Sequence, residues 1–416
     1  MTGRGFLTPE RPGTVQRDPF KALLPQLRTH PYPVFHTMRK LDPVHYSPGW
    51  EAWFLTRYED VERVLREPHF SVGRVSDFSQ RLSEPYDMSR IEAHLSGWLL
   101  FTDPPAHGRL RSLISKAFTP RTLQRFEQAV RSRIAMLLDR LTPEQPVDLM
   151  TALASPLPVM TIADILGGRP QDSQRFENWS HRLATFLGSD ELTAELASQA
   201  ELSLGALESY FRELIAERRQ EPTDDLISSL LSAKSDQQEQ LEEGEVISMA
   251  ILLFAAGHDT TTNLIGNGLL AVLSNPLEKR KLVEKRVAPE VAVEEILRYD
   301  SPSQIASRSV LEEVELGGKR LLPGQLVNLC LGAANRDPSV FPQPDRFDLE
   351  RPNLTRHLAF GKGIHTCVGA HLARLEARLV LESVLERWPA TQLAGQPERY
   401  PTLGFRRLRS LPVKLA

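Results

Sequence analysis

The sequence predicts a mainly α-helical protein with small β-sheets attached, an α+β chain organised as one large domain over residues 1–416. Three observations carry this expectation. Apolar residues recur at helical spacing through most of the chain beyond residue 106. The β-type segments are few, short and bounded by turn residues. No repeat and no Gly/Ser-rich linker divides the 416 residues, although length alone suggests two or three domains.

In chain order, the first 20 or so residues are polar and punctuated by proline, and read as a loosely ordered lead-in. Tyr46 to Leu55 reads as short strands around a Pro-Gly turn, and Asp60 as the cap of a helix running to Glu67. From Ser71 to Leu100 no period is sustained, and so long an irregular stretch in a compact chain marks a lid or a disordered segment. Helices are then expected at about 106–140, 156–188, 190–218, 224–233, 243–275 and 289–299. Short strands and turns fill 305–333, a Pro-rich stretch follows, and a last long helix runs from about Cys367 to Trp388.

Composition narrows the function. Hydrophobic residues are 41% and charged residues 25% of the chain, ordinary values for a globular protein able to enclose a large cofactor. A net charge of −3 gives no reason to expect a nucleic-acid partner. The longest apolar run, Val246 to Ala256, is shorter than a membrane span and interrupted by Ser248. The N-terminus has no signal-peptide core, and two cysteines supply neither a disulfide framework nor a Cys-rich zinc site. The default setting is cytoplasmic and reducing.

One of those cysteines is informative. Cys367 lies where a glycine-rich loop, Phe360-Gly361-Lys362-Gly363-Ile364-His365-Thr366-Cys367-Val368-Gly369, enters a helix. Free N–H groups and the positive end of the macrodipole favour a thiolate there. Glycines let the backbone approach a flat ligand closely. A lone thiolate suits haem iron better than zinc, which takes three or four protein ligands. Most lone cysteines are simply small buried residues, and Cys330, without such a loop, is read as one.

The loop resembles the haem-binding signature of the cytochrome P450 family, F-x-x-G-x-x-x-C-x-G, with Phe360, Gly363, Cys367 and Gly369 at the fixed positions. The resemblance implies the fold of that family, with haem b held between the long central helix and the helix after the cysteine loop. Three further segments resemble the same family in the same order. Ala256-Gly257-His258-Asp259-Thr260-Thr261 lies mid-way along the apolar helix expected at 243–275, where an acid and threonines are anomalous and loosen the turn. The likeness assigns Ala256 and Gly257 to haem binding and Asp259 and Thr260 to proton delivery, the glycine, acid and threonine suiting a groove that admits dioxygen. Glu295 and Arg298 share one helix face, which alone suggests only a surface pair. In the family such a pair is buried and completed by an arginine of the Pro-rich stretch, here taken as Arg346. Asp103 to Arg111 opens a helix on which His107 and Arg111 face one side. The resemblance makes both ligands of the haem propionates, with Arg308 and His365 completing the clamp.

From the family follow further expectations: a monooxygenase that hydroxylates or epoxidises an apolar lipid, terpenoid, steroid or polyketide, working as a monomer. Electrons would come from a ferredoxin and its reductase, docking near Lys362, Arg109 and Lys116. Thiolate ligation favours O–O cleavage at the iron. His258, beside the acid, is given no catalytic role. The pocket lining is expected from Phe78, Trp98, Leu99, Leu100, Leu253, Ala256, Ile305, Ala306 and Phe405, residues that are equally ordinary core by type. The alternatives are a member that isomerises, couples or desaturates without inserting oxygen, and a haem-binding sensor without turnover.

Overall fold

The computed structural model describes residues 21–416 except 118–119, 190 and 235–238. The expected lead-in over the first 20 residues therefore lies outside the described part. Within it, helices dominate and four small sheets are attached.

The centre is the helix Glu243–Ser274, whose 32 residues extend about 48 Å at 1.5 Å per residue. Its start is fixed by Glu245, which accepts a hydrogen bond from the Glu242 N–H at 2.9 Å. Nearly every residue from Val246 to Leu273 is buried, because helices pack on it from several sides. These neighbours include Pro156–Leu166, Ser173–Gly188, Ala194–Gln220, Pro289–Tyr299 and Ala370–Arg387. The helix runs through Asp259 and Thr260 without a break. There the Thr260 hydroxyl donates to the Ala256 carbonyl at 2.8 Å, an i−4 bond that keeps the side chain satisfied.

Two expected long helices are each divided. Residues 106–140 form Ala106–Ala117 and Pro120–Leu138, with Pro120 opening the second. Residues 156–188 form Pro156–Leu166 and Ser173–Gly188, and Gly167 ends the first in the left-handed region at φ 80°. The irregular stretch 71–100 contains two short helices, Asp77–Gln80 and Ser89–Ser96. Asp60 does not cap its helix: Tyr58–Arg66 begins after Arg57, and Asp60 sits inside the first turn, 2.6 Å from the Arg57 guanidinium.

The largest sheet has five strands in the order Val44–Ser47, Ala52–Leu55, Leu326–Cys330, Ile305–Val310 and Phe70–Ser71. Ala52–Leu55 runs parallel to Leu326–Cys330 and the other pairings are antiparallel, with Arg308 opposite Val327. Trp53, Leu55, Val327 and Leu329 pack on the Tyr58–Arg66 helix and hold this sheet against the helical body. The sheet thereby fixes Arg308 on a rigid strand.

Candidate active site

Cys367 precedes its helix by three residues, since Ala370–Arg387 starts later than the sequence pattern suggests. The loop before it is shaped by two glycines in the left-handed region, Gly361 at φ 69° and Gly363 at φ 73°. A Cβ on Gly363 would also lie 2.7 Å from the Leu65 carbonyl oxygen, so this loop packs against the end of the Tyr58–Arg66 helix only with glycine there. The Cys367 N–H donates to the Phe360 carbonyl at 2.9 Å and closes the loop.

The Cys367 side chain carries accessible surface although protein atoms enclose it on nearly all sides. A residue facing an internal gap has this combination. Burial raises its thiol pKa, while N–H groups of Gly369 and Ala370 and the guanidinium groups of Arg111 and Arg374 pull the other way. Cys330, by contrast, is wholly buried and its thiol is pushed up to about 12, so it stays an inert packing residue.

A second accessible patch interrupts the central helix. Ala256 is exposed and Gly257 and Thr260 are half-buried, whereas Leu253, Phe254, Ala255, Thr261 and Thr262 are buried. Asp259 is 8% exposed, and its Oδ2 accepts from the Asn263 side chain at 3.2 Å. His258 points elsewhere: its Nδ1 is hydrogen-bonded to the Ser180 hydroxyl at 2.5 Å, linking the central helix to Ser173–Gly188. Burial lowers its pKa to about 4, so it is neutral at physiological pH.

Near the loop the side chains are basic and short of counter-ions. The His107 and His365 rings lie 4.2 Å apart, and the buried Nε2 of His107 has no hydrogen-bond partner. Burial lowers the pKa of His365 to about 4, helped by His107 and Arg308 nearby. Arg308 is buried and its pKa falls to about 10 through desolvation and the proximity of Arg74, against a weaker pull from Asp103. Its guanidinium donates to its own neighbour, the Ser307 carbonyl, at 2.9 Å. Arg111 is likewise lowered by burial. Two guanidinium groups, an orphaned imidazole nitrogen and a lone thiol around one gap fit a flat cofactor bearing carboxylates and an iron atom. Arg74, half-buried and paired with Asp77 at 3.4 Å, belongs to this basic group and was not expected. Its only sequence signal was its position at the start of the irregular stretch.

Some expected residues are placed otherwise. Glu295 and Arg298 form the anticipated buried pair, with bonds of 2.6 and 2.8 Å and no exposed surface. The third member is Arg351, not Arg346. Arg351 is 4% exposed and 3.4 Å from Glu295, whereas the Arg346 side chain is 59% exposed and lies 4.0 Å from Asp348. Only the Arg346 carbonyl joins the network, accepting from Arg298 and Arg351. Among expected pocket residues, Trp98, Phe78 and Leu99 present almost no surface and pack into the core. Phe78 stacks on Phe186, and Trp98 on Phe101. Leu253 is also buried, while Leu100, Ala256, Ile305, Ala306 and Phe405 keep accessible surface. Arg109 is committed to an ion pair with Glu245, and Lys116 donates to the Lys234 carbonyl at 2.8 Å.

Comparison with known proteins agrees with this chemistry. The cytochrome P450 family model matches residues 12–286 and 289–407. The chain is 36% identical over 390 residues to the biotin biosynthesis cytochrome P450 of Bacillus subtilis, covering 92% of this chain and 96% of that protein. It is 40% identical over 374 residues to cytochrome P450 107B1 of Saccharopolyspora erythraea, covering 88% and 90%. The crystal structure of P450BioI in complex with an acyl carrier protein ligated to hexadec-9Z-enoic acid superposes with a TM-score of 0.87 at 35% identity, covering 95% of this chain and all of that one. No described helix is long and apolar enough to cross a membrane. Fold, basic cleft and relatives converge, and the chain belongs to the cytochrome P450 family as a haem b monooxygenase.

Proposed function

We propose that this enzyme inserts oxygen from dioxygen into an apolar carbon chain or ring, with Cys367 as the haem-iron ligand and Asp259 and Thr260 as the proton-delivery pair. The single observation that supports this most is the accessible patch at Ala256, Gly257 and Thr260 in an otherwise buried helix that packs on the Cys367 helix. Bound haem supplies the oxygen-activating chemistry, and a thiolate ligand favours O–O cleavage. His107, Arg111, Arg308 and His365 would hold its propionates, and Arg74 adds a further cation beside Arg308. Phe360 and Gly369 shape the loop around the sulfur, and the Arg374 guanidinium lies 4.5 Å from the Phe360 ring centroid. Asp259 and Thr260 move protons from solvent toward the gap. Glu295, Arg298 and Arg351 keep the loop region folded.

The substrate class we propose is a fatty acyl chain or a compound of similar length and polarity. The relative whose structure holds an acyl carrier protein ligated to a hexadecenoic acid motivates this choice, as does the apolar surface at Leu100, Ile305, Ala306 and Phe405. Electrons would arrive from a ferredoxin and its reductase, with Lys362 a candidate contact beside the cysteine loop. An optical titration of the ferric enzyme tests the substrate class, using free hexadecenoic acid, its carrier-linked form, a steroid and a macrolide. A shift to high spin with the fatty acyl ligands supports the proposal. A shift with the steroid or macrolide alone contradicts it. Isotopically labelled dioxygen then separates oxygen insertion from a coupling or desaturating reaction.

A further inference from the structure

Behind the cysteine loop lies a chain of charged groups that neither holds the cofactor nor moves protons. Glu294 precedes the buried Glu295 on Pro289–Tyr299 and accepts two bonds from the Arg374 guanidinium of Ala370–Arg387, at 2.6 and 3.1 Å. Its Oε2 also lies 3.1 Å from His357 Nε2. The Ala359 N–H donates to His357 Nδ1 at 3.2 Å, so the neutral ring carries its proton on Nε2 and donates it to Glu294. Burial raises the Glu294 carboxyl, yet the bonds from His357 and Arg374 outweigh it and bring the pKa down to about 2. Glu294 therefore stays charged beside Arg374.

The chain of contacts ends at the thiol. The Arg374 guanidinium sits 4.5 Å from the centroid of the Phe360 ring, and the Phe360 carbonyl accepts from the Cys367 N–H at 2.9 Å. Arg374 and Arg111 are the two guanidinium groups that favour the Cys367 thiolate. Arg111 belongs to the propionate clamp, which leaves Arg374 as the cation not committed to the cofactor. Neighbouring Arg378 is spent on Glu127 and Glu382, each at 3.0 Å, so Glu294 is the acid that offsets Arg374. The Arg374 side chain is 35% exposed, in a groove of about 230 Å³ that also borders Glu294, and water there weakens both charges without cancelling them.

We propose that Arg374 and Glu294 are positioning residues that set the electrostatic field behind the Cys367 thiolate, and through it the ease of reducing the iron bound there. The inference rests on the assignment of Cys367 as the iron ligand. Reduction takes one electron from the donor and adds one negative charge to that centre, so a nearby cation favours it and a nearby anion opposes it. Removing either member of the pair unmasks the charge of the other. The two removals therefore push in opposite directions.

The test uses the haem-loaded enzyme with no redox protein present, in five forms: wild type, Glu294→Gln, Arg374→Gln, the double variant and Arg374→Lys. Haem content and the reduced carbon-monoxide band are recorded first. Reduction is then titrated with dithionite at low ionic strength, where screening is least. Glu294→Gln should favour the reduced form by up to about tenfold and Arg374→Gln disfavour it by a similar factor, about 59 mV either way for one electron. The double variant should lie near wild type, and Arg374→Lys nearer to it than Arg374→Gln. A purely structural pair would shift both single variants the same way, and a role confined to partner docking would shift neither; either result overturns the proposal. Loss of haem from both Gln variants overturns it too, and with one lost the sign of the other decides. If the wild type lacks the red-shifted band of a thiolate ligand, the assignment of Cys367 fails. With that band present and the reduction equilibria unmoved, the tuning alone is wrong.

Discussion

Replacing Arg351 by alanine should unfold or strip the enzyme of haem, whereas the same change at Arg346 should be nearly silent. Arg351 lies 3.4 Å from Glu295 and donates to the carbonyls of Pro342, Gln343 and Arg346 at 2.5, 3.2 and 2.9 Å. Removing one partner of a buried ion pair costs about 3–5 kcal/mol. Glu295 keeps its two bonds from Arg298, which places the ion-pair loss at the lower end of that range. The Gln343 carbonyl still accepts from the Arg346 N–H and the Arg346 carbonyl from Arg298, so only the Pro342 carbonyl is stripped of its donor, adding about 1 kcal/mol where water cannot reach it. The sum, about 4 kcal/mol, is a large share of the stability of an ordinary domain. For Arg346, a mostly exposed side chain with a 4.0 Å contact to Asp348, the loss should stay below about 1 kcal/mol. Urea denaturation of the haem-loaded variants, followed with haem content, reads both. An Arg351→Ala enzyme within about 1 kcal/mol of wild type, or an Arg346→Ala enzyme as damaged as the triad variants, would refute the reasoning.

Two buried titrating groups should shape stability against pH in opposite directions. Unfolded His258 binds a proton at its ordinary value of 6.5 and the folded residue only near about 4, so stability falls as pH drops through that window, by at most about 3 kcal/mol. A His258→Asn enzyme should lose this acid-side slope in thermal melts between pH 4 and 6.5. Glu376 is fully buried with Oε2 unpartnered, and its carboxyl is pushed up to about 8 by desolvation, eased by Thr161. The unfolded residue ionises first, so stability falls as pH rises from 4.5 to about 8, and Glu376→Gln should gain up to about 3 kcal/mol at pH 7. A Gln variant less stable than wild type at pH 7 would assign the carboxylate a partner that matters. Finally, Thr260→Ala should divert electrons to peroxide, cutting the product formed per electron pair by about tenfold or more. Unchanged coupling would remove Thr260 from the proton path.

What the sequence discloses depends on how local each constraint is. The cysteine loop was legible because its glycines answer to backbone conformation within ten residues, and the central helix because its apolar run is long. The Glu295–Arg298 pair was legible for the same reason, lying one turn apart. Its third member was not: Arg346 and Arg351 occupy the same Pro-rich stretch, and only the folded path of that stretch turns Arg351 inward and Arg346 out. Likewise Trp98 and Leu100 look alike as apolar residues, yet one is 1% and the other 49% exposed. Arg407 carried no sequence signal, since its partner Asp259 lies on a distant element. Glu376 did carry one, an acid on the helix stripe shared with Leu372, Leu379 and Val380.

The central claim is that Cys367 is the iron ligand, and the reduced carbon-monoxide difference spectrum tests it most directly. The wild-type enzyme should give the strongly red-shifted haem band that a thiolate ligand produces. Cys367→His should retain haem on the basic clamp of His107, Arg111 and Arg308, lose that band and lose monooxygenation. A Cys367→Ala or Cys367→His enzyme with the wild-type spectrum and full activity would contradict the account.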